Sequence, residues 1–185
     1  MDFRELLDLL ISFLVVFAVF GYRSIVSLDL GGIVAYLIAT LTAFVLHELA
    51  HRSVAMARGA YARYEAWYPG LLIAIILAIA SRGSIVFVAP GAVKVYEFFS
   101  IPSIEAEIAL AGPLANILVA TACLVLVHIP ALSYTAYIVG YVNAFLAFFN
   151  LLPIPPLDGY KVLRGRIAAW IVLFLISLLL LYLYH

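Results

Sequence analysis

The feature that most constrains this chain is a stretch without formal charge that runs from residue 108 to residue 157. Across all 185 residues, 68% are hydrophobic and 11% are charged. A water-soluble domain of this length needs more polar surface, so the composition indicates a membrane protein. The stretch has room for two helices that cross the hydrocarbon core, since each takes roughly 20 apolar residues. Pro130 divides it, because proline stops a helix.

The same length criterion places five membrane-spanning helices along the chain. We predict them at residues 6–22, 30–57, 108–127, 133–152 and 167–184. Residues 67–99 do not fit one crossing, because their apolar core is short and β-branched residues then surround Pro90 and Gly91. We expect this segment to be re-entrant or a short pair of crossings, with an extended hairpin over residues 84–96.

These spans predict an all-α integral membrane protein with a single domain over residues 1–185. The expected architecture is a polytopic helical bundle of about five to six transmembrane segments, with a short re-entrant or β-hairpin element. The first ten residues carry three acids around Arg4 and no small-residue cleavage site, so we expect a retained first helix and not a secretory signal.

Basic residues predict the orientation in the cell membrane. Arg52, Arg58 and Arg63 end the second span, and Lys161, Arg164 and Arg166 precede the last. Loops rich in lysine and arginine stay in the cytoplasm, so both clusters and the N-terminus are expected on that side. Both clusters share one side only if the segment at residues 67–99 returns to the side it started from.

Charge and cysteine content exclude several kinds of partner and cofactor. Ten basic and ten acidic residues balance, so we expect no nucleic-acid partner and expect the lipid bilayer as the surroundings. Cys123 is the one cysteine, which excludes an internal disulfide and a thiolate zinc cluster. No feature of the sequence indicates an oligomeric state.

A metal-binding pattern lies inside the second predicted span. Residues 47–51 read HELAH, and on a helix the spacing of four puts His47 and His51 on one face, where they can bind one Zn²⁺ per chain. Glu48 then lies beside the metal, where it can take a proton from the attacking water. Ionisable groups inside an apolar span are costly, which favours a functional site over a hydrogen-bonded polar patch.

A catalytic zinc has three protein ligands and one open position, so a third ligand is needed. His128 is expected at the opposite membrane face and His185 ends the chain, while Glu105 and Glu107 are expected in solvent. Asp158 is the remaining candidate, within NLLPIPPLDG at residues 150–159. Its three prolines prevent a regular helix, so the chain unwinds and the carboxylate can turn toward the histidines.

These motifs together resemble the site-2 protease family of intramembrane zinc metalloproteases, in a minimal form without PDZ or CBS domains. HELAH and NLLPIPPLDG match two elements of that family, and AGPLAN at residues 111–116 is similar to its intervening Gly-Pro-x-x-Asn element. The resemblance implies cleavage of transmembrane helices of membrane-protein or peptide substrates, in regulated intramembrane proteolysis. It also implies that His47, His51 and Asp158 bind zinc and that Glu48 is the base.

Two asparagines are further candidates for the catalytic site. Asn116 lies nine residues after Glu107, about 13 Å along a helix, and His47 lies at a similar depth, about 16 Å from Arg58. We therefore predict that Asn116 donates a hydrogen bond to the oxyanion of the reaction, in the cytoplasmic half of the bilayer. Asn150 could do the same or could brace the unwound segment, and an ordinary interhelical hydrogen bond is the alternative for both.

Other functions fit parts of the pattern. A CAAX-processing protease shares the first motif but takes a later glutamate as its third ligand, and no glutamate follows Glu107. A non-proteolytic membrane zinc-binding protein, either a transporter or an inactive protease-like binder of helices, is the main alternative. A transporter would place ligands along a path through the bilayer, and an inactive relative would lose Glu48.

Overall fold

The computed structural model describes residues 1–86, 90–96 and 101–185. Its helices are α1 (Phe3–Phe20), α2 (Tyr22–Val26), α3 (Leu30–Thr40), α4 (Leu46–Ala57), α5 (Tyr68–Ala80), α6 (Pro102–Leu126), α7 (Ser133–Asn150), α8 (Asp158–Gly165) and α9 (Ile167–Leu183). Two strands, β1 (Tyr61–Ala66) and β2 (Gly91–Tyr96), form one antiparallel sheet. The helical class with a small extended element is therefore confirmed, and the number of membrane crossings stays a prediction.

Two of the helical stretches have the length and apolar character of membrane spans. They are Leu30–Ala57 and Pro102–Leu126. The first is continuous but irregular, because a π-helical turn over Leu41–Val45 joins α3 to α4. Nothing in the sequence pattern predicted this turn, which widens the helix directly before HELAH.

Small side chains build the main helix interfaces. The core between α3, α6 and α7 contains fully buried alanines, among them Ala35, Ala39, Ala120 and Ala144. Large apolar side chains such as Leu118 are instead exposed on the outer surface. Small residues let helix backbones approach closely where lipid gives no hydrophobic drive, so this distribution is typical of a helix bundle in a membrane.

The two basic clusters lie at one end of the molecule. Glu107 of α6 forms ion pairs with both Arg58, after α4, and Arg166, before α9. At the other end, Arg23 donates to the Ser84 hydroxyl at 2.8 Å. The two clusters therefore share one end, and the orientation of the protein in a membrane stays a prediction.

The sheet differs from the hairpin predicted over residues 84–96. Residues 91–96 are a strand, as expected, but this strand pairs with Tyr61–Ala66, and residues 84–86 are not in a strand. Residues 87–89 and 97–99 of the predicted segment lie outside the described residues. The prediction was wrong about the partner because α5 separates the two strands in sequence, and only tertiary folding brings them together.

The segment between β1 and β2 begins and ends at the same end of the two-stranded sheet. The backbone N–H of Trp67 donates to the carbonyl of Pro90 at 2.8 Å, so α5 leaves the sheet and the chain returns to it. Ser12 of α1 also donates to this carbonyl, at 3.4 Å. Whether the segment returns to the same side of a membrane stays a prediction.

Candidate metal centre

His47 and His51 lie one turn apart on α4 with their rings facing one another. The two Nε2 atoms are 2.9 Å apart. Both side chains are buried, at 4% and 6% exposure. The spacing of four in HELAH produces this arrangement because residues i and i+4 stack on one helix face.

The other ring nitrogen of each histidine meets an acceptor. His47 Nδ1 lies 3.1 Å from the side-chain oxygen of Asn116, and His51 Nδ1 lies 2.7 Å from the carbonyl of Ile108. Since both partners accept hydrogen bonds, we assign the proton of each neutral imidazole to Nδ1. The Nε2 lone pairs then point at the shared space between the rings, as metal-binding histidines require.

Asp158 completes a three-membered group at this space. Its Oδ2 atom lies 3.3 Å from His47 Nε2 and 3.1 Å from His51 Nε2. The prolines before it interrupt the helix, as predicted, and Asp158 is the first residue of α8. Within the described ranges, these three side chains form the group whose ligand atoms could hold a metal ion, all within 4.8 Å of one another.

The donor set fits zinc. Two imidazole lone pairs and a carboxylate oxygen converge, which is unfavourable unless a cation lies between them. Ligands bound at 2.0–2.1 Å to a tetrahedral zinc lie roughly 3.3 Å apart, close to the three spacings observed. Three protein ligands also leave the open position that a catalytic zinc needs.

Gly112 of α6 leaves room for the two imidazoles. A Cβ atom at this position would lie 2.4 Å from His51 Nε2 and 2.5 Å from His47 Nε2. Real carbon–nitrogen contacts are about 1 Å longer. The glycine of AGPLAN therefore allows α6 to pack directly against the face of α4 that carries the two histidines.

Glu48 lies next to the His47, His51 and Asp158 group, and its surroundings favour a chemical role over a structural one. It is 8% exposed, and its Oε2 atom has no hydrogen-bond partner within the part of the chain that the structure describes. The backbone N–H of Val93 in β2 is directed at its carboxylate. A buried carboxylate oxygen without a partner is rare in a structural role, so this atom is available to a substrate or water.

A large cavity opens on the site. Its volume is about 1120 Å³, and its walls include the ligand group, Glu48, strand β2 and the start of α8. This volume of about 1120 Å³ is slightly above the ~300–1,000 Å³ typical of ligand sites, enough for a peptide segment. At its rim, the ammonium of Lys94 hydrogen-bonds to Glu65 and holds the pKa of the Glu65 carboxyl below its usual range.

The two predicted asparagines have different surroundings. Asn116 is fully buried, and its amide donates to the carbonyl of Ala43 at 3.1 Å while its oxygen faces His47. Asn150 lines the cavity, and within the described residues its side chain has no hydrogen-bond partner. The oxyanion role stays a prediction for both, and the contacts of Asn116 favour a role in orienting His47.

The rejected third ligands lie outside the group. His128 is in the connection between α6 and α7, and His185 follows α9. Glu107 is in the ion pairs with Arg58 and Arg166, and Glu105 lies in the cavity wall.

Sequence reasoning missed three contributors to the site. The Ile108 carbonyl left no signal, because any residue supplies one. Strand β1 also went unnoticed, although YARYEA has the alternation of a strand. A third contributor had a clear signal: Glu5, Asp8 and Ser12 occupy one face of an apolar helix, and buried ionisable residues in such helices call for a reason.

Comparison with known proteins gave two matches. A sequence model described as peptidase family M50 matches residues 127–175. A protein of Methanocaldococcus jannaschii, whose name is that of a zinc metalloprotease, is 40% identical over 173 residues, covering 91% of this chain and 88% of that protein. No solved structure matches the chain.

Proposed function

This chain belongs to peptidase family M50, and from that premise we propose that it cleaves peptide bonds within or next to transmembrane helices. It is a zinc metalloprotease of the site-2 protease type. One observation supports the intramembrane substrate above others: both histidines and Glu48 lie on a helical stretch with the length and apolar character of a membrane span. A protease with its site on such a stretch meets substrates that are themselves in the bilayer.

We assign His47, His51 and Asp158 as the ligands of one zinc ion. Asn116 and the Ile108 carbonyl keep both Nε2 atoms unprotonated and aimed inward. Zinc, when bound, supplies a Lewis acid that polarises the scissile carbonyl.

Glu48 is the general base and acid of the proposed reaction. Its carboxylate takes a proton from the water that attacks the carbonyl carbon. The C–N bond then breaks, and Glu48 returns the proton to the leaving nitrogen. The unpartnered Oε2 atom at the cavity wall supports this role.

Asn150 is the better candidate for the oxyanion donor. A carbonyl oxygen that becomes negative needs a donor already facing the cavity, and Asn150 has that position, with no hydrogen-bond partner for its amide among the residues that the structure describes. Asn116 lies on the Nδ1 side of His47, behind the ring, so we assign it to orientation of that ligand.

The substrate is proposed to bind as an unwound strand. Peptide carbonyls in a helix are hydrogen-bonded, so the helix must open before hydrolysis, which glycine, proline or polar residues favour. Strand β2 lines the cavity and leaves one edge unpaired within the described residues, so it can accept an extended segment by strand addition. Cleavage of this kind fits regulated intramembrane proteolysis.

The site is proposed to lie in the cytoplasmic half of the membrane. The end of the molecule with Arg58 and Arg166 would face the cytoplasm, and the N-terminus would be on the same side. Residues 67–99 would return to this side, and the chain would cross the cell membrane several times.

Cleavage by the purified protein in detergent tests the proposal. The substrate is a model membrane protein whose transmembrane helix contains glycine and proline, incubated with wild type and with Glu48→Gln. The variant keeps the size of the side chain and the zinc ligands, so we expect about one zinc per chain and a turnover at least ~100-fold lower. Equal cleavage by both proteins would refute the mechanism. Asp158→Ala should lose the metal as well as activity.

A further inference from the structure

Helix α1 has a buried polar face that the proposed reaction does not use. Glu5, Asp8 and Ser12 follow one another at spacings of three and four, and they are 2%, 7% and 0% exposed. The opposite face exposes large apolar side chains such as Leu10 and Leu14. Burial of carboxylates costs several kcal/mol unless they are hydrogen-bonded, so their partners show what this face is for.

The partners include backbone groups at the outer edge of strand β1, and Asp8 also accepts from the hydroxyl of Tyr68 at 2.6 Å. Glu5 accepts a hydrogen bond from the N–H of Tyr64 at 3.2 Å, and Asp8 accepts one from the N–H of Ala66 at 3.3 Å. Ser12 accepts from the hydroxyl of Tyr64 at 2.9 Å. Tyr64 and Ala66 are two apart, so their N–H groups point to the same side of the strand. Helix α1 thus supplies the acceptors that a third strand would offer.

The opposite edge of the sheet faces the active site. Tyr64 pairs with Val93, and Ala66 pairs with Gly91. In an antiparallel sheet, the two residues of a non-hydrogen-bonded pair both direct their N–H groups away from the partner strand. The N–H groups of Tyr64 and Ala66 point away from β2, so those of Val93 and Gly91 point away from β1. The N–H of Val93 accordingly faces Glu48. The sheet has one edge covered by α1 and one edge open to the cavity.

Glu5 also joins this sheet to the helix that carries the metal ligands. The oxygen that accepts from Tyr64 also accepts from Arg52 Nε, at 2.8 Å. Arg52 directly follows His51 on α4. A single carboxylate therefore fixes strand β1 relative to the helix of His47, Glu48 and His51.

We propose that Glu5 and Asp8 are positioning residues that set where a substrate strand lies relative to Glu48. They cover the outer edge of β1, so an extended substrate can pair only with the open edge of β2. Because β1 is paired with β2, they also fix the position of β2 beside Glu48, so that a single peptide bond of the substrate lies next to the Glu48 carboxylate. This inference rests on the proposed function, because it assumes that β2 receives the substrate.

Two measurements on Asp8 variants test the proposal. Asp8→Leu removes the acceptor, Asp8→Asn keeps an oxygen for the Ala66 N–H, and Asp8→Ala replaces the leucine variant if that one does not fold. Asp2→Ala is the matched control on the same helix, because Asp2 caps α1 and pairs with Arg63 without touching a β1 backbone group. Hydrogen exchange at Ala66 reports on the edge, and mass spectrometry of the products reports on the cleavage position.

The proposal predicts faster exchange at Ala66 in Asp8→Leu, by about tenfold or more, since a hydrogen bond to a charged group is lost. It also predicts that Asp8→Leu cleaves one or two neighbouring peptide bonds in addition to the wild-type bond. Wild type and Asp2→Ala should cleave at a single bond. Asp8→Asn should restore both. A variant whose Ala66 N–H exchanges faster but which still cuts at the single wild-type bond would overturn the positioning role, as would unchanged exchange. A wild type that binds zinc and cleaves no membrane substrate would instead refute the proposed function.

Discussion

Replacement of Gly112 by alanine should remove zinc without unfolding the protein. The new Cβ atom would lie 2.4 Å from His51 Nε2 and 2.5 Å from His47 Nε2. Ordinary contact at about 3.4 Å requires each ring nitrogen, or the helix, to move by about 1 Å. Zinc ligands tolerate about 0.2 Å, so both bonds are affected together. The helix itself should gain, because alanine is better than glycine in a helix interior by ~0.8–1 kcal/mol.

We expect zinc affinity to fall by at least ~100-fold, which is about 2.7 kcal/mol, and the metal content of protein purified at limiting zinc to fall well below one per chain. Competition with a chromophoric chelator measures the affinity, and thermal unfolding of the zinc-free protein measures the fold. Gly31→Ala is the matched control, since its Cβ would meet Asp29 and Tyr134 at ordinary distances of 3.5 and 3.8 Å. Gly112→Ala that binds zinc as tightly as Gly31→Ala would refute the geometry described for this site.

Three further outcomes follow from other contacts. Asn116→Ala leaves the Nδ1–H of His47 without its acceptor, so zinc should bind about 10–100-fold more weakly by chelator competition; full zinc affinity with lost turnover would instead restore the oxyanion role. Tyr184→Phe removes a buried hydrogen bond of 2.7 Å to the Ala120 carbonyl, so denaturant unfolding should show a loss of about 1–2 kcal/mol with zinc content unchanged. The pKa of Glu65 is lowered in the folded protein, so its ion pair with Lys94 stabilises the fold at pH values above the ordinary glutamate pKa. This stabilisation is lost only as the pH falls through the lowered pKa of the folded state. Glu65→Gln should therefore leave the shape of the pH–rate profile above about pH 5 unchanged, and a displaced profile there would count against this assignment.

The contacts of Asn116 in the structure indicate a different role from the one that its sequence position predicted. From sequence, an asparagine at the depth of the histidines looks like a donor to the reaction. In the structure its two polar groups are taken by His47 and Ala43. The carbonyl of Ala43 lies in the π-helical turn, where the regular pattern of backbone hydrogen bonds is interrupted. That turn and Asn116 together orient the ring of His47, which we proposed as the first zinc ligand.

The sequence alone determined the parts that depend on local spacing and composition. The apolar stretches predicted the helices, Pro130 and the prolines before Asp158 marked their ends, and the spacing of four in HELAH put both imidazoles on one face. These features follow from helix geometry and from the chemistry of proline, which act between residues close in the chain. Membership of the family was confirmed by the comparisons, and the family model matches residues 127–175, which include the prolines before Asp158.

Only the tertiary structure decided the contacts between distant segments. It paired β2 with β1 across α5 instead of within a hairpin, set Gly112 under both imidazoles and gave Asn116 to His47. It also turned the carboxylates of Glu5 and Asp8 toward a strand edge some 60 residues away. A backbone N–H or carbonyl leaves no mark in the sequence, because every residue except proline carries both, so which of them meets a side chain is settled by packing.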